Sequence, residues 1–300
     1  MAELNWSDTQ WHKVNDAVTE AFTQAGVAGT FLPMYGPLAG STEIVRNERL
    51  HQVASSISLD KDYPGVNIQL VNVTVNVELS SEQVADETLS NAILAFRRAA
   101  NILAQEQDRI VFEGYGQDPG TANGFVTNRP EPQRGLADLR ARDGFSSLDT
   151  ANRTVGQAVV KAVVNAIHRL EDSFNTGPFA CVLGNTLFED VYDPSTSLVL
   201  PADRITPLLK GGPLLRSGKM DDGAGIVVSL SGNAVDIVVG TPPTVQFLQR
   251  TMEAKFLFRV YERFALRIRD TDNPPVAGFR TVPANGATAQ DSRKKGGRPL

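Results

Sequence analysis

The stretch that most constrains this chain is 79–114, LSSEQVADETLSNAILAFRRAANILAQEQDRIVFEG. It is the longest run with helical periodicity. Ser80 followed three residues later by Gln83 is a capping-box pattern, which satisfies backbone donors at a helix start. Leu89, Ile93, Phe96, Ala100 and Leu103 recur at steps of three and four and share one face, whereas Arg97, Arg98, Gln105 and Asp108 fall largely off it. Gly114 closes the pattern, as a C-terminal glycine should. One helix over the whole stretch would run about 45 Å at 1.5 Å per residue. That exceeds what a compact domain of this size needs, so the stretch reads as a spine on which other elements are laid.

The chain has 300 residues, which points to two subdomains and a substantial core. With 41% hydrophobic and 21% charged residues it has the composition of a soluble globular chain. A net charge of -5 argues against nucleic acid bound over the whole surface. The single cysteine, Cys181, excludes an intrachain disulfide framework and suits a reducing compartment. It sits in the apolar run FACVL and is expected in the core. No apolar run reaches the roughly 20 residues of a membrane span. The start, MAELNWSDTQW, lacks the basic and apolar segments of a signal peptide, so the cytoplasm is the expected location.

Taken in order, 7–25 predicts an amphipathic helix capped by Ser7 or Asp8, with Trp11, Val14, Val18 and Phe22 on one face. Gly29, Pro33, Gly36, Pro37 and Gly40 then punctuate the start of an extended region. Within 66–79, Ile68, Leu70, Val73, Val75 and Val77 alternate with polar residues, and the alternation slips one register between Leu70 and Val73. The slip predicts a bulge or bend. Some forty residues with strands and little helix resemble a β-hairpin arm, which needs something outside itself to pack on. After the spine, 115–143 predicts a long loop. A second helix is expected over about 147–174, with Val155, Ala158, Val159, Ala162, Val163, Ala166, Ile167 and Leu170 as its apolar stripe. PFACVLG predicts a buried strand, NTLFEDVYD a short helix, DPSTSLVLPAD a loop and ITPLLKGG another short helix. GIVVSL and AVDIVVG predict strands joined by the turn Ser231-Gly232-Asn233, and FLFRVYERFALRI a last strand. From Asp270 onward the composition reads as a tail without a core. Its basic residues Arg293, Lys294, Lys295 and Arg298 read as a solvated end, with a polyanion contact as the other reading.

Catalytic patterns are missing. His12, His51 and His168 lie far apart with no metal-ligand companions, and His168 is expected at a packing boundary. The GxG at Gly114 and Gly116 lacks the lysine and Ser/Thr of a phosphate loop. Asp270-x-Asp272 lacks the later ligands of a calcium loop. Glu189-Asp190 and Asp221-Asp222 read as solvated pairs. The residues therefore predict an α+β protein with a spine helix, a projecting arm and no catalytic site.

That order of elements resembles the Hong Kong 97-type phage capsid fold, and within it the encapsulin shell proteins of the linocin-like family. The helix around Trp11 to Phe22 followed by Gly36-Pro37 is similar to the family's N-terminal helix and the start of its arm. ANILAQEQDRIVFEG, GPFACVLGNTLFEDVY and LLKGGPLLRSGKMDDGAGIVVSLSGNAVDIVVG resemble further family segments, with Gln107-Asp108 where Glu-Asp is usual. Together they cover roughly 7–269.

The resemblance implies an N-terminal helix and arm over 1–35, an extended β arm over 36–78, and a peripheral domain from 79–145 and 225–269. It implies an axial domain over 146–224 and a flexible tail over 270–300. It implies a self-assembling icosahedral shell that encloses an enzyme cargo; the alternative is a major capsid protein of a tailed bacteriophage that packages DNA. Partners would be about sixty copies of the chain, or a multiple, and a cargo enzyme held through a short terminal peptide. The implied cargo-peptide groove is Phe22, Phe31, Asp236, Val238 and Gly240. The implied pore loop is Asp193, Pro194, Ser195, Thr196, Ser197, Leu198, Val199, Leu200 and Pro201. No metal is implied. The aromatic residues that hold a flavin in some members are missing from this spine, so no cofactor is expected.

Overall fold

The computed structural model describes residues 4–53, 56–60, 67–116, 124–128, 130–139, 145–151, 153–194 and 199–281. The first helix, α1 (Asp8–Ala25), starts on a full capping box between Ser7 and Gln10. Its buried face is Val14, Val18, Ala21 and Phe22. The chain then enters a two-residue edge strand β1 (Met34–Tyr35) and the arm, made of β2 (Ile44–Arg46), β3 (Arg49–Val53), β4 (Ser56–Asp60) and β5 (Asn67–Gln69). β2 pairs antiparallel with β5, and β3 with β4.

The returning limb continues as β6 (Val71–Leu79), which buries Val71, Val73, Val75, Val77 and Leu79. The expected register slip falls at Leu70. That side chain is buried on the other face of the sheet, with Val45, Val238 and Ala265, while the next residue, Val71, joins the main core. Adjacent residues of an extended chain face opposite ways, so Leu70 and Val71 fill two different cores. The apolar phase changes because the buried face changes at the one-residue break between β5 and β6, and the β6–β14 pairing runs on without a bulge.

The spine is interrupted. A short helix α2 (Ser81–Ala85) carries the expected capping box at Ser80 and Gln83 and stops at Asp86. Asp86 accepts hydrogen bonds from the Thr88 and Ser90 amides, and Leu89 adopts φ 55. The long helix α3 (Ser90–Glu113) starts only there. Its 24 residues span about 36 Å, shorter than the single helix expected. Asp108 lies inside, buried, although the periodicity put it off the apolar face.

After α3 come β7 (Gly114–Tyr115) and β8 (Gln133–Arg134), an antiparallel pair at the helix end. Part of the long connection lies beside β6: the Thr74 amide donates to Phe125 O at 2.8 Å and the Thr127 amide to Asn72 O at 3.0 Å. A short strand β9 (Ser146–Ser147) precedes α4 (Val155–Asp172). The helix thus begins eight residues later than expected, at the Thr154 cap. The expected stripe is buried along α4. His168 is exposed, not at a packing boundary.

β10 (Phe179–Leu183) is buried at every residue, and α5 (Asn185–Tyr192) follows it. α6 (Pro201–Ile205) starts inside the segment expected as a loop, with Pro201 at its first turn. The chain continues through β11 (Leu214–Arg216), β12 (Ala224–Ser229), β13 (Val235–Arg250), β14 (Phe256–Ile268) and β15 (Val276–Arg280).

Two sheets organise these elements. The first has the order β1-β13-β14-β6, with α1 and α3 on one face. Pro242 and Pro243 in β13 fall within its register shifts, where no ladder donor is required. The second has the order β11-β10-β12-β15-β9. On one face Phe179, Cys181, Val227, Ala277 and Phe279 pack with α4, α5 and α6. On its other face Ala180, Val182, Ile226, Val228 and Val276 join the core beneath the first sheet.

The strands either side of Ser231-Gly232-Asn233 are joined by that turn as expected, but they lie in different sheets: β12 pairs with β10 and β15, and β13 with β1 and β14. Strand 224–229 therefore belongs with the second sheet. Residues 270–281 are not a coreless tail, because β15 is an inner strand with Val276, Ala277 and Phe279 buried. The basic residues Arg293, Lys294, Lys295 and Arg298 lie outside the described residues.

Candidate functional site

The five residues expected to form one groove lie on two faces of one sheet. Phe22 packs from α1 into the main core, and Phe31 stacks on Phe112 of α3 at 6.4 Å between ring centroids. Val235 and Ile237 point to this same core. Asp236, Val238 and Gly240 alternate with them and face the arm. Val238 packs with Val45, Leu70 and Ala265, and a Cβ on Gly240 would lie 2.4 Å from Leu70 Cδ1. All five are buried by their own chain. They form two clusters separated by the sheet.

What is accessible beside them is β1. It lies at the open edge of the first sheet, in parallel register with Ile237 and Val238. Met34 and Tyr35 are 55% and 51% exposed, although both are large and apolar in body. Behind them Arg267 holds Asp236 in a fork, Nε to Oδ1 at 2.8 Å and Nη2 to Oδ2 at 2.5 Å. The same guanidinium lies over the Tyr35 ring at 4.7 Å, and the half-exposed Arg269 reaches Asp236 at 3.6 Å. Sequence spacing did not reveal this surface, because Asp236 and Arg267 are 31 residues apart and meet only through the β13–β14 register.

A buried polar layer ties α1 to α3 and β14. Asp108 accepts the Val27 amide at 2.9 Å and the Ala28 amide at 2.8 Å, fixing the turn after α1. Burial pushes its carboxyl up to about 6, against the pull of those two amides and of Lys219. Glu262 accepts from Gln107 Nε2 at 3.2 Å. Burial, and then the neighbouring Asp108 charge, raises the Glu262 carboxyl well above its ordinary value. Glu106 and Arg109 pair at 2.9 Å in the same layer.

In the implied pore segment, Asp193 and Pro194 are exposed after α5, and Val199 is 49% exposed. Leu200 caps α6 and Pro201 is its first residue, buried. Ser195, Thr196, Ser197 and Leu198 lie outside the described residues. Nearby, burial and then the charges of Asp193 and Glu189 raise the Asp190 carboxyl.

Among the described residues no three His, Cys, Asp or Glu side chains are grouped to hold a metal, and no helix is long and apolar enough to cross a membrane. Cys181 is buried, and burial lifts its thiol to about 12.

The arm is the other accessible feature. β4 is exposed from Ser56 to Leu59, with Ile57 and Leu59 70% and 50% exposed. A hairpin with such a surface buries too little apolar area to be stabilised alone.

Comparison with known proteins agrees with this architecture. The family model of Linocin_M18, described as encapsulating protein for peroxidase, matches residues 3–265. The type 1 encapsulin shell protein EncA of Myxococcus xanthus (strain DK1622) is 21% identical over 290 residues, covering 90% of this chain and 93% of that protein. The virus-like particle from Pyrococcus furiosus superposes with a TM-score of 0.65 at 13% identity, over 90% of this chain and 99% of that one. The capsid of Myoviridae phage XM1 superposes with a TM-score of 0.57 at 16% identity, over 87% and 92%. At such identities the two structures show a shared Hong Kong 97-type fold, and the phage likeness extends to fold alone. The match over most of the chain, on this fold, places the protein in the Linocin_M18 family of encapsulin shell proteins.

Proposed function

We propose that copies of this chain close into an icosahedral shell of about sixty subunits, or a multiple, that encloses an enzyme cargo in the cytoplasm. The arm supports this reading most directly: Ile57 and Leu59 stay exposed on a hairpin that a neighbouring copy would cover. The first sheet with α1 and α3 would be the peripheral domain. The second sheet with α4, α5 and α6 would be the axial domain, with 193–201 ringing a pore. The protein's role is then structural, between copies of itself.

The cargo peptide would run along β1. An open sheet edge supplies backbone donors and acceptors, Met34 and Tyr35 supply apolar contact, and the Asp236–Arg267 pair fixes the floor behind them. Phe22, Phe31, Val238 and Gly240 would support that edge from within, not touch the peptide. Ile57→Asp tests the shell: it should abolish hollow particles in negative-stain micrographs while tryptophan emission stays native, and intact particles would contradict the reading. Tyr35→Ala tests the cargo edge: particles should persist with their protein cargo depleted, and unchanged loading would exclude β1.

A further inference from the structure

We infer that Arg263 is the positioning residue that sets the angle at which the arm leaves the body of the subunit. Arg263 lies on β14, and one guanidinium holds both limbs of the arm. Nη1 donates to Gly40 O at 2.6 Å and Nη2 to Thr42 O at 2.5 Å, on the outgoing limb. Nε donates to Asn72 Oδ1 at 3.1 Å, where the returning limb becomes β6. The two carbonyls belong to one turn, closed by the Thr42 amide on Ala39 O at 2.8 Å. The planar fork therefore fixes a direction as well as a distance.

The rest of the arm root lies along the same strand toward its C-terminal end. Asn47 Nδ2 donates to Ile268 O at 2.8 Å, and the Leu50 amide to Arg269 O at 2.9 Å. Arg49 reaches the Thr271 hydroxyl, and His51 lies 3.3 Å from Asp272. These contacts hold the arm's middle, but the limbs separate from the sheet at Arg263. Without the guanidinium the Gly40 and Thr42 carbonyls lose a charged, forked donor, and water at this exposed turn fixes no direction. Small changes of arm angle are repeated at every copy in a closed shell, so this clamp would control particle diameter.

The inference rests on the shell reading, and its test separates the two. Hydrogen exchange by mass spectrometry reads the clamp in Arg263→Gln and Arg263→Lys, and negative-stain micrographs read particle diameter. In Arg263→Gln, amides of 38–46 should exchange at least about ten-fold faster, the factor that one charge-assisted hydrogen bond represents, with α3 exchange unchanged. Its particles should be lost or heterogeneous in diameter. Arg263→Lys keeps the charge but offers a point donor without the fork, so it should fold and still exchange faster over 38–46 than the unaltered protein. Unchanged exchange in this region for the lysine variant, or uniform particles of unaltered diameter for the glutamine variant, would overturn the inference. If the unaltered protein forms no particles, the shell reading fails, while faster exchange in the variants would still show the clamp.

Discussion

Asp108→Ala tests whether the buried layer beneath α1 carries the energetics assigned to it. Removing the carboxylate leaves the Val27 and Ala28 amides without their acceptor. Each such loss costs about 1–3 kcal/mol. Against this stands relief from burying a charge. The folded pKa, about 6, lies above the unfolded value of 3.8, so the stability linked to Asp108 protonation is fully present below pH 3.8 and is lost as pH rises through about 6. Ionisation then costs the folded state about 1 kcal/mol at pH 4.5 and about 3 kcal/mol at pH 7.5. The cost of the substitution should therefore be about 2 kcal/mol less at pH 7.5 than at pH 4.5. Urea unfolding followed by tryptophan emission measures this, because the protein's two tryptophans, Trp6 and Trp11, both sit at the start of α1 against Phe258. Both forms are compared at one protein concentration, since assembly adds a concentration-dependent contribution. A cost that is equal at the two pH values, or larger at pH 7.5, would refute the assignment.

Two more outcomes follow from packing at either end of β13 and β14. Phe258 is fully buried and contacts Trp6, Trp11, Phe96 and Phe247, so Phe258→Ala should cost about 3–5 kcal/mol in urea unfolding and shift tryptophan emission to the red. Gly36 has φ 133, and a Cβ there would lie 2.3 Å from Val239 O, so Gly36→Ala should lower the thermal midpoint and speed amide exchange around the arm root. A neutral result at either position would contradict the packing described.

Local signals were legible where local physics decides. The cap at the start of α1, the capping box at Ser80, the apolar faces of α1 and α4 and the change of apolar phase at Leu70 all follow from neighbours in sequence. The break at 86–89 was hidden because Asp86 competes for the backbone with an otherwise helical pattern, and only the αL residue Leu89 shows that it wins. β15 was hidden for a different reason. Val276, Ala277 and Phe279 form a short apolar run within a polar, proline-containing segment, and they are stable as a strand only between β12 and β9. Strand alternation places Asp236, Val238 and Gly240 on one face. The sequence held no sign that Phe22 and Phe31 pack against the opposite face, and the pairs Asp236–Arg267 and Gln107–Glu262 join residues 31 and 155 apart.

The central claim is that this chain acts as a closed assembly of itself. The mass of the purified particle, by charge-detection mass spectrometry, tests it most directly. Subunits of 32.4 kDa closing as about sixty copies should give about 1.9 MDa, or a small-integer multiple of it. A species at the subunit mass or a few times that value would contradict the claim.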